Sequence, residues 1–164
     1  MESIGRIIQQ MVIESGDNVA DIQHFLTVWA YAMAIGKEEK LAEEMQYILE
    51  AAAVVHDIAC PVLREKYGHC EGKMQEKEGP ALARKFLGQF DLSQYQTDRI
   101  AFLVAHHHTY ENVDGMDYRI LLEADYIVNA EEKRYSLSSI RSNFDMVFKT
   151  ESGKRLAMNI FDIG

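Results

Sequence analysis

The stretch EEKLAEEMQYILEAAAVVHDIA, residues Glu38 to Ala59, decides the fold. It is rich in strong helix formers and meets no proline until Pro61, beyond its end. Its acidic residues come early, where a helix N-terminus favours them. Leu49, Ala52 and His56 follow one another at spacings of three and four, which puts His56 on the apolar stripe. Asp57 then lies about 100° around the helix. An imidazole and a carboxylate thus end the most apolar run of the chain. A buried carboxylate is unfavourable unless it is paired, protonated or bound to a metal.

The flanking segments read as helices too. One runs from about Ser3 to Glu14 and stops at Ser15-Gly16; Asp17 then caps NVADIQHFLTVWAYAMAIG, which ends at Gly36. An irregular stretch through KYGHCEGKMQ follows the central run, and a short helix is expected over Glu76 to Leu87, with Pro80 in its first turn. SQYQTDRIAFLVAHHHTY and MDYRILLEADYIVNAEE are two further helices, joined by a loop holding Asp114-Gly115. A last helix around Ser138 to Phe148 leads into the tail TESGKRLAMNIFDIG. No segment alternates with period two, so the expected fold is an all-α, single-domain bundle of about six to seven helices. There is no repeat or linker, and residues 1–164 read as one domain.

Composition bounds the function. The 164 residues suffice for one packed core, and 48% hydrophobic with 26% charged residues is ordinary for a globular protein. A net charge of −9 argues against a nucleic-acid polymer or an anionic membrane as partner, where lysine and arginine should dominate. It leaves room for a small phosphorylated substrate, because a bound cation reverses the local field. No apolar run approaches the roughly 20 residues of a membrane span, and MESIGRIIQQMVIES is too polar for a secretory signal. The expected location is the cytoplasm. Cys60 and Cys70 form no CxxC, so they are expected to be two small buried thiols rather than a zinc site or a disulfide framework.

Four helices each direct a metal-competent side chain inward. His24 shares a face with Val28, Tyr31 and Ile35; Asp125 is the one charge in a stripe with Leu121, Leu122 and Val128. Ile100, Leu103, Val104 and His107 share another face, His108 follows Val104 by four, and His106 points away. A lone inward histidine is more often a satisfied core residue, and a lone aspartate more often a helix or tyrosine partner. Four at once would each need a separate hydrogen-bonding solution, whereas one shared cation serves them all. Two imidazoles with two carboxylates suit Mn, Fe, Co, Ni, Zn or Mg, and are unsuited to copper(I).

His24, then His56-Asp57, then Asp125, on successive helices over roughly residues 17 to 130, resembles the H…HD…D signature of the HD superfamily of metal-dependent phosphohydrolases. The resemblance implies that His24, His56, Asp57 and Asp125 bind a first divalent metal ion. Some branches hold a second, using an extra histidine before the last aspartate and a later HH pair. AHHHTY supplies that pair, with His107 and His108 favoured by the helical register. The extra histidine is missing from MQEKEGPALARKFL; Glu76 is the candidate oxygen ligand in its place, the alternative being an exposed acid at a helix start. The carboxylate that some mononuclear nucleotidases carry just after the HD pair is also missing, since Cys60 and Pro61 stand there, and this tells against a nucleoside-monophosphate phosphatase. HHHTYENVDGMDY is faintly similar to the HD-GYP cyclic-dinucleotide phosphodiesterases, but no GYP is present.

The implied activity is hydrolysis of a phosphoester, of a nucleotide or another small substrate, by metal-activated water oriented by Asp57 or a neighbouring histidine. Lys77 and Arg64 are the cations expected to face the phosphate, and His106 or His108, if not a ligand, is placed to protonate a leaving group. Two other readings share the motif: an HD-fold di-iron oxygenase, and a non-catalytic nucleotide-sensing module. The apolar last helix and the RLAMNIF tail either close the bundle or form a homodimer contact.

Overall fold

The computed structural model describes all 164 residues and is built only of helices and their connections. There are nine: α1 Ile4–Ser15, α2 Val19–Glu38, α3 Glu43–Val55, α4 Cys60–Tyr67, α5 Gly72–Leu87, α6 Gln94–His106, α7 Met116–Glu132, α8 Leu137–Val147 and α9 Glu151–Phe161. The all-α expectation holds, but the number of helices exceeds the six to seven expected. Both additional helices fall where the sequence reads as irregular or as a tail. α4 has Pro61 in its first turn, where the missing N–H is harmless, and it ends at Gly68 in the left-handed region, φ 79°. In α9, the Thr150 side chain accepts from the Gly153 N–H and starts the helix.

Two boundaries also move. Asn18, not Asp17, caps α2, accepting from the Asp21 N–H. α5 begins at Gly72, which leaves Pro80 in its interior instead of its first turn; the ring removes the donor that would otherwise meet the Glu76 carbonyl.

Every residue of α3 from Gln46 to Val55 is buried, which explains why that stretch is apolar apart from Gln46 and Glu50. It runs through the middle of the bundle and packs against α1, α2, α6 and α7. The small side chains of Ala51, Ala52 and Ala53 let those neighbours approach. α5 and α6 form an antiparallel pair beside it, and Gly79 makes the pairing close: a Cβ there would lie 2.7 Å from Val104 Cγ1. The run Glu43–Tyr67 is long and apolar enough for a membrane span by composition, contrary to the sequence expectation. Here it is two helices, and 78% of its most apolar window is buried in the bundle.

The last two helices belong to a smaller second core. Tyr126, Ile127 and Ala130 on the back of α7 meet Ile140, Val147 and Phe148 of α8 and Ala157 and Phe161 of α9. A fully buried carboxylate pins this layer. Glu123 accepts from the Lys149 N–H at 2.7 Å, the Thr150 N–H at 2.9 Å and the Thr150 hydroxyl at 2.7 Å. Burial pushes its pKa up, against the pull of those donors. The tail therefore closes the bundle.

Candidate metal centre

Two helices end at the site. α3 stops at Val55 with His56 as its C-cap, and α6 stops at His106 with His107 as its C-cap. In both, the cap imidazole turns back into the helix end. His56 Nδ1 donates to the Ala53 carbonyl at 2.7 Å, and His107 Nδ1 donates to the Val104 carbonyl at 2.8 Å. Each bond satisfies a last-turn carbonyl and fixes the ring's orientation. Both helix C-termini, with their partial negative charge, converge on the same spot and favour a cation there.

His24 enters from the second turn of α2, its Nδ1 donating to Glu132 at 3.0 Å. Asp125 enters from the middle of α7 and Asp57 from the α3–α4 turn. Five side chains thereby meet. His24 Nε2 lies 3.1 Å from His56 Nε2, 3.0 Å from Asp57 Oδ2 and 3.4 Å from Asp125 Oδ1. His56 Nε2 lies 3.2 Å from Asp125 Oδ1, and His107 Nε2 lies 3.1 Å from Asp57 Oδ1.

The donor chemistry decides what fits. With Nδ1–H of His24, His56 and His107 committed outward, each neutral ring presents a lone pair at Nε2, and the carboxylates present only acceptors. Asp125 Oδ1 is buried without a hydrogen-bond donor. Acceptors facing acceptors are stable only around a positive charge. Such outward Nδ1–H bonds to carbonyl and carboxylate groups are what orients histidine ligands of metals. The residues present thus fit a divalent cation, and they fall into two groups that share Asp57: His24, His56 and Asp57 with Asp125 alongside, and Asp57, His107 and His108.

Without a cation, protons take that role. Burial opposes charge on His24, but hydrogen bonds to Asp125 and Asp57 lift its pKa to about 11. Burial would raise Asp57 and Asp125, but the His56 charge foremost, with the neighbouring histidines, holds both well below the ordinary carboxylate range. His107 is raised too, burial being outweighed by Asp57. His108 goes the other way: burial and the His107 charge push it down to about 4. At neutral pH His108 presents a lone pair, so it is suited to be a ligand and not the acid for a leaving group.

The remaining expected residues divide. His106 lies away from the cluster, stacked on Phe102 with its Nδ1 donating to the Phe102 carbonyl. Glu76 is not in either group. Its carboxylate accepts from the His108 N–H at 3.0 Å and the Thr109 hydroxyl at 2.7 Å, and so caps the turn after α6. The side chain at the vacant position is Gln75, whose Oε1 lies 3.0 Å from His107 Nε2 and 2.9 Å from His108 Nε2. Its amide nitrogen donates to the Cys70 carbonyl, which points the oxygen at the histidines. Gln75, Gly79 and Ala83 form the buried stripe of α5, and Glu76 is one residue, about 100°, off it.

Lys77 is exposed on α5 and does not line the cleft; it is a correction to the expected phosphate contacts. The cleft above the cluster, about 440 Å³, is lined instead by Arg64 and Lys133, with Asp21, Glu132 and Asn129. Arg64 is hydrogen-bonded to Asp21, which leaves Lys133 as the cation free to meet a ligand. Glu132 and Lys133 sit at the polar end of α7, where sequence pattern alone gives no reason to single them out. The cleft wall also holds Cys60 and Cys70, which are bonded to each other and not free thiols. α4 runs out from Cys60, and the left-handed turn at Gly68 brings the chain back until the two Cα atoms are 5.3 Å apart.

This geometry agrees with the comparisons to known proteins. The HD domain family model matches residues 21–139, which include all of His24, His56, Asp57, His107, His108 and Asp125. The chain therefore belongs to the HD domain family. A predicted HD superfamily hydrolase from an uncultured Thermotogales bacterium has the same fold, with a TM-score of 0.64 over 97% of this chain and 83% of that one, at 20% identity. No curated protein matches the sequence significantly.

Proposed function

We propose that the protein is a metal-dependent phosphohydrolase acting on a small phosphoester. The observation that carries this reading is the shared carboxylate. Asp57 belongs to two adjoining ligand groups at the floor of a cleft whose rim holds Arg64 and Lys133. In this reading His24, His56, Asp57 and Asp125 hold one divalent ion, and Asp57, His107, His108 and the Gln75 amide oxygen hold a second. A divalent metal bound there lowers the pKa of water and offsets charge on the phosphoryl group.

The chain's own groups do the rest. Asp57 accepts a hydrogen bond from the attacking water and sets its direction. Lys133 holds a phosphoryl oxygen at the rim, and Arg64 is positioned by Asp21 beside it. The new P–O bond forms from water, which gives up a proton to solvent, the ester P–O bond breaks, and the leaving oxygen takes a proton back from solvent in the open cleft. A cytoplasmic location and a homodimer belong to the same proposal, as does the absence of polymer or membrane partners, which alone rests on the charge of −9.

Release of inorganic phosphate from a panel of phosphomonoesters, and of the monoester product from a panel of diesters, tests it, with and without added Mn, Fe, Zn or Mg. The expected result is release that needs metal and proceeds equally in the absence of oxygen. Oxygen-dependent substrate loss without phosphate would favour the oxygenase reading. Metal uptake without any turnover would leave a sensing module.

A further inference from the structure

The Cys60–Cys70 bond lies in the cleft wall, and each of its residues is tied to the metal cluster. On one side the Cys60 N–H donates to the Asp57 carbonyl at 2.9 Å, in the turn that presents the shared carboxylate. On the other, the Cys70 carbonyl accepts from Gln75 Nε2 at 3.2 Å. Gln75 Oε1 in turn lies 3.0 Å from His107 Nε2 and 2.9 Å from His108 Nε2. The bond therefore holds the amide of the second ligand group against the turn that carries Asp57.

Little else holds this part of the chain. α4 is eight residues long, and Cys60 and Leu63 are its only buried residues. A helix of that length is unstable by itself in water and depends on its tertiary anchors. The main side-chain anchors of α4 are Leu63, the hydrogen bond of Arg64 to Asp21, and the disulfide. Gly68 and His69 beyond it are exposed. Segments with so few buried contacts are the ones that open locally.

Opening the bond frees the Cys70 carbonyl to move away and releases the Gln75 amide. A released amide turns its NH2 group toward His107 and His108, because a donor satisfies the Nε2 lone pairs that its oxygen does not. The second ion position then meets N–H groups in place of an oxygen lone pair, and a cation is disfavoured there. The first position is built on α2, α3 and α7, and its braces at the Ala53 carbonyl and Glu132 lie outside the loop.

The bond is also reachable. Cys70 is partly exposed in the cleft, whereas Cys60 is 6% exposed. A thiolate of a dithiol reductant can attack Cys70 Sγ; the S–S bond breaks with its electron pair on Cys60 Sγ, which takes up a proton. The reductant's second thiol gives up its proton and displaces Cys70 from the mixed disulfide, and Cys70 takes up a proton in turn. Two electrons and two protons thus pass to the cysteine pair, and the oxidised reductant leaves as a disulfide. A disulfide of the glutathione class reverses the exchange. Exposed disulfides are the labile, regulatory ones, and those that form in a thiol-buffered compartment such as the proposed cytoplasm typically sense redox state.

We propose that Cys60–Cys70 is a reversible thiol–disulfide site that sets the second metal position: closed, it aims the Gln75 oxygen at the second ion; open, it releases Gln75 and that ion is lost. This rests on the two-ion reading for what Gln75 meets.

The test holds full-length protein at a series of dithiothreitol redox poises. One portion is alkylated for mass analysis; the other is freed of reductant under argon and titrated calorimetrically with Mn. Reduction should weaken the second Mn about tenfold or more, the range for a lost outer partner, and leave the first within about twofold. The double variant Cys60→Ser, Cys70→Ser should bind like reduced protein at every poise. Gln75→Ala should bind the second Mn weakly in both states. Equal isotherms for two-Mn oxidised and reduced protein, or two alkylated thiols at every poise, overturn the proposal. Hydrogen exchange of the metal-free protein separates it from the two-ion reading. Reduction should speed exchange across residues 60–76 and leave α3 unchanged. If exchange responds in this way while neither state takes a second ion, the two-ion reading falls and the thiol–disulfide site of the cleft wall stands. Exchange that ignores reduction overturns the site. None of these readouts needs turnover, so a failure of phosphoester hydrolysis is told apart from a failure of the switch.

Discussion

The two ligand groups that meet at Asp57 differ in how firmly they are built. On one side His24, His56 and Asp125 come from three helices of the main core, and His56 is fully buried. Two of these rings are braced from behind, by the Ala53 carbonyl and by Glu132. On the other side His107 is equally buried and braced, but His108 is only partly buried and the remaining donor is a neutral amide, Gln75. That amide is steered by Cys70, which lies on a loop tied to the cleft wall. The difference teaches that a shared carboxylate need not make two equal sites. Charge and burial favour a tight first ion, and the amide favours a weaker, exchangeable second one.

The largest effect should separate the two groups. His56→Ala is expected to abolish phosphate release and uptake of the first ion, with activity falling by roughly three orders of magnitude or more, the scale of a lost catalytic metal. His107→Ala should remove one equivalent of metal and leave the other. Metal analysis of both variants beside wild type checks this, and loss of all metal in both would mean one site and not two. A smaller effect is expected behind the first group. Glu132→Gln removes the charge that orients His24, and metal affinity should fall about 10- to 100-fold, the range for such outer partners. Competition with a chromophoric chelator measures it, and an unchanged affinity would show Glu132 to be a surface acid.

Acidity separates the groups in another way. In the metal-free protein His24, lifted from 6.5 to about 11, adds stability that is complete below pH 6.5 and lost as pH rises towards 11. Asp57 and Asp125, lowered from 3.8, add stability present above that value and lost on acidification. Chelated protein should therefore be most stable between about pH 4 and 6.5, whereas metal-loaded protein should gain with rising pH, because the ligands must shed protons to bind. Thermal midpoints with and without chelator across that range test this; parallel curves would exclude the cluster as the cause. The smallest effect on metal binding is expected from the second group's wall. Cys60→Ser should cost about 2–3 kcal/mol of stability, as expected for opening a closed loop of this size. It should loosen the second ion through Gln75 while sparing the first, which titration of metal into the variant would show.

Much of this was readable from periodicity. His24, His56, Asp57 and Asp125 stand on or beside apolar stripes, and an unbroken helix places such residues inward whatever packs against it. The same logic turned His107 inward and His106 outward. It was too coarse on α5, where Gln75, Glu76 and Gly79 read as one face and the acid was taken as the oxygen ligand, whereas the buried stripe is Gln75, Gly79 and Ala83. α4 escaped notice because it is short, charged and largely exposed, and its identity depends on Pro61 and Gly68 at its two ends. The Cys60–Cys70 bond could not be read from a spacing of ten, since it depends on the chain doubling back after α4. Lys133 was hidden for a related reason. It reaches the cleft only because the end of α7 packs beside α2 and the cysteine-bonded wall, and no linear pattern records that.

The most direct test of the account is metal stoichiometry in Asp57→Ala beside wild type, by plasma mass spectrometry on protein purified without chelator or affinity nickel and then reconstituted. Because both groups share this carboxylate, wild type is expected to hold up to two ions per chain, and Asp57→Ala to hold neither at equal free metal, with phosphate release lost. Retention of the full metal content by Asp57→Ala, or no uptake of metal by wild type, would contradict the shared centre on which the proposed activity rests.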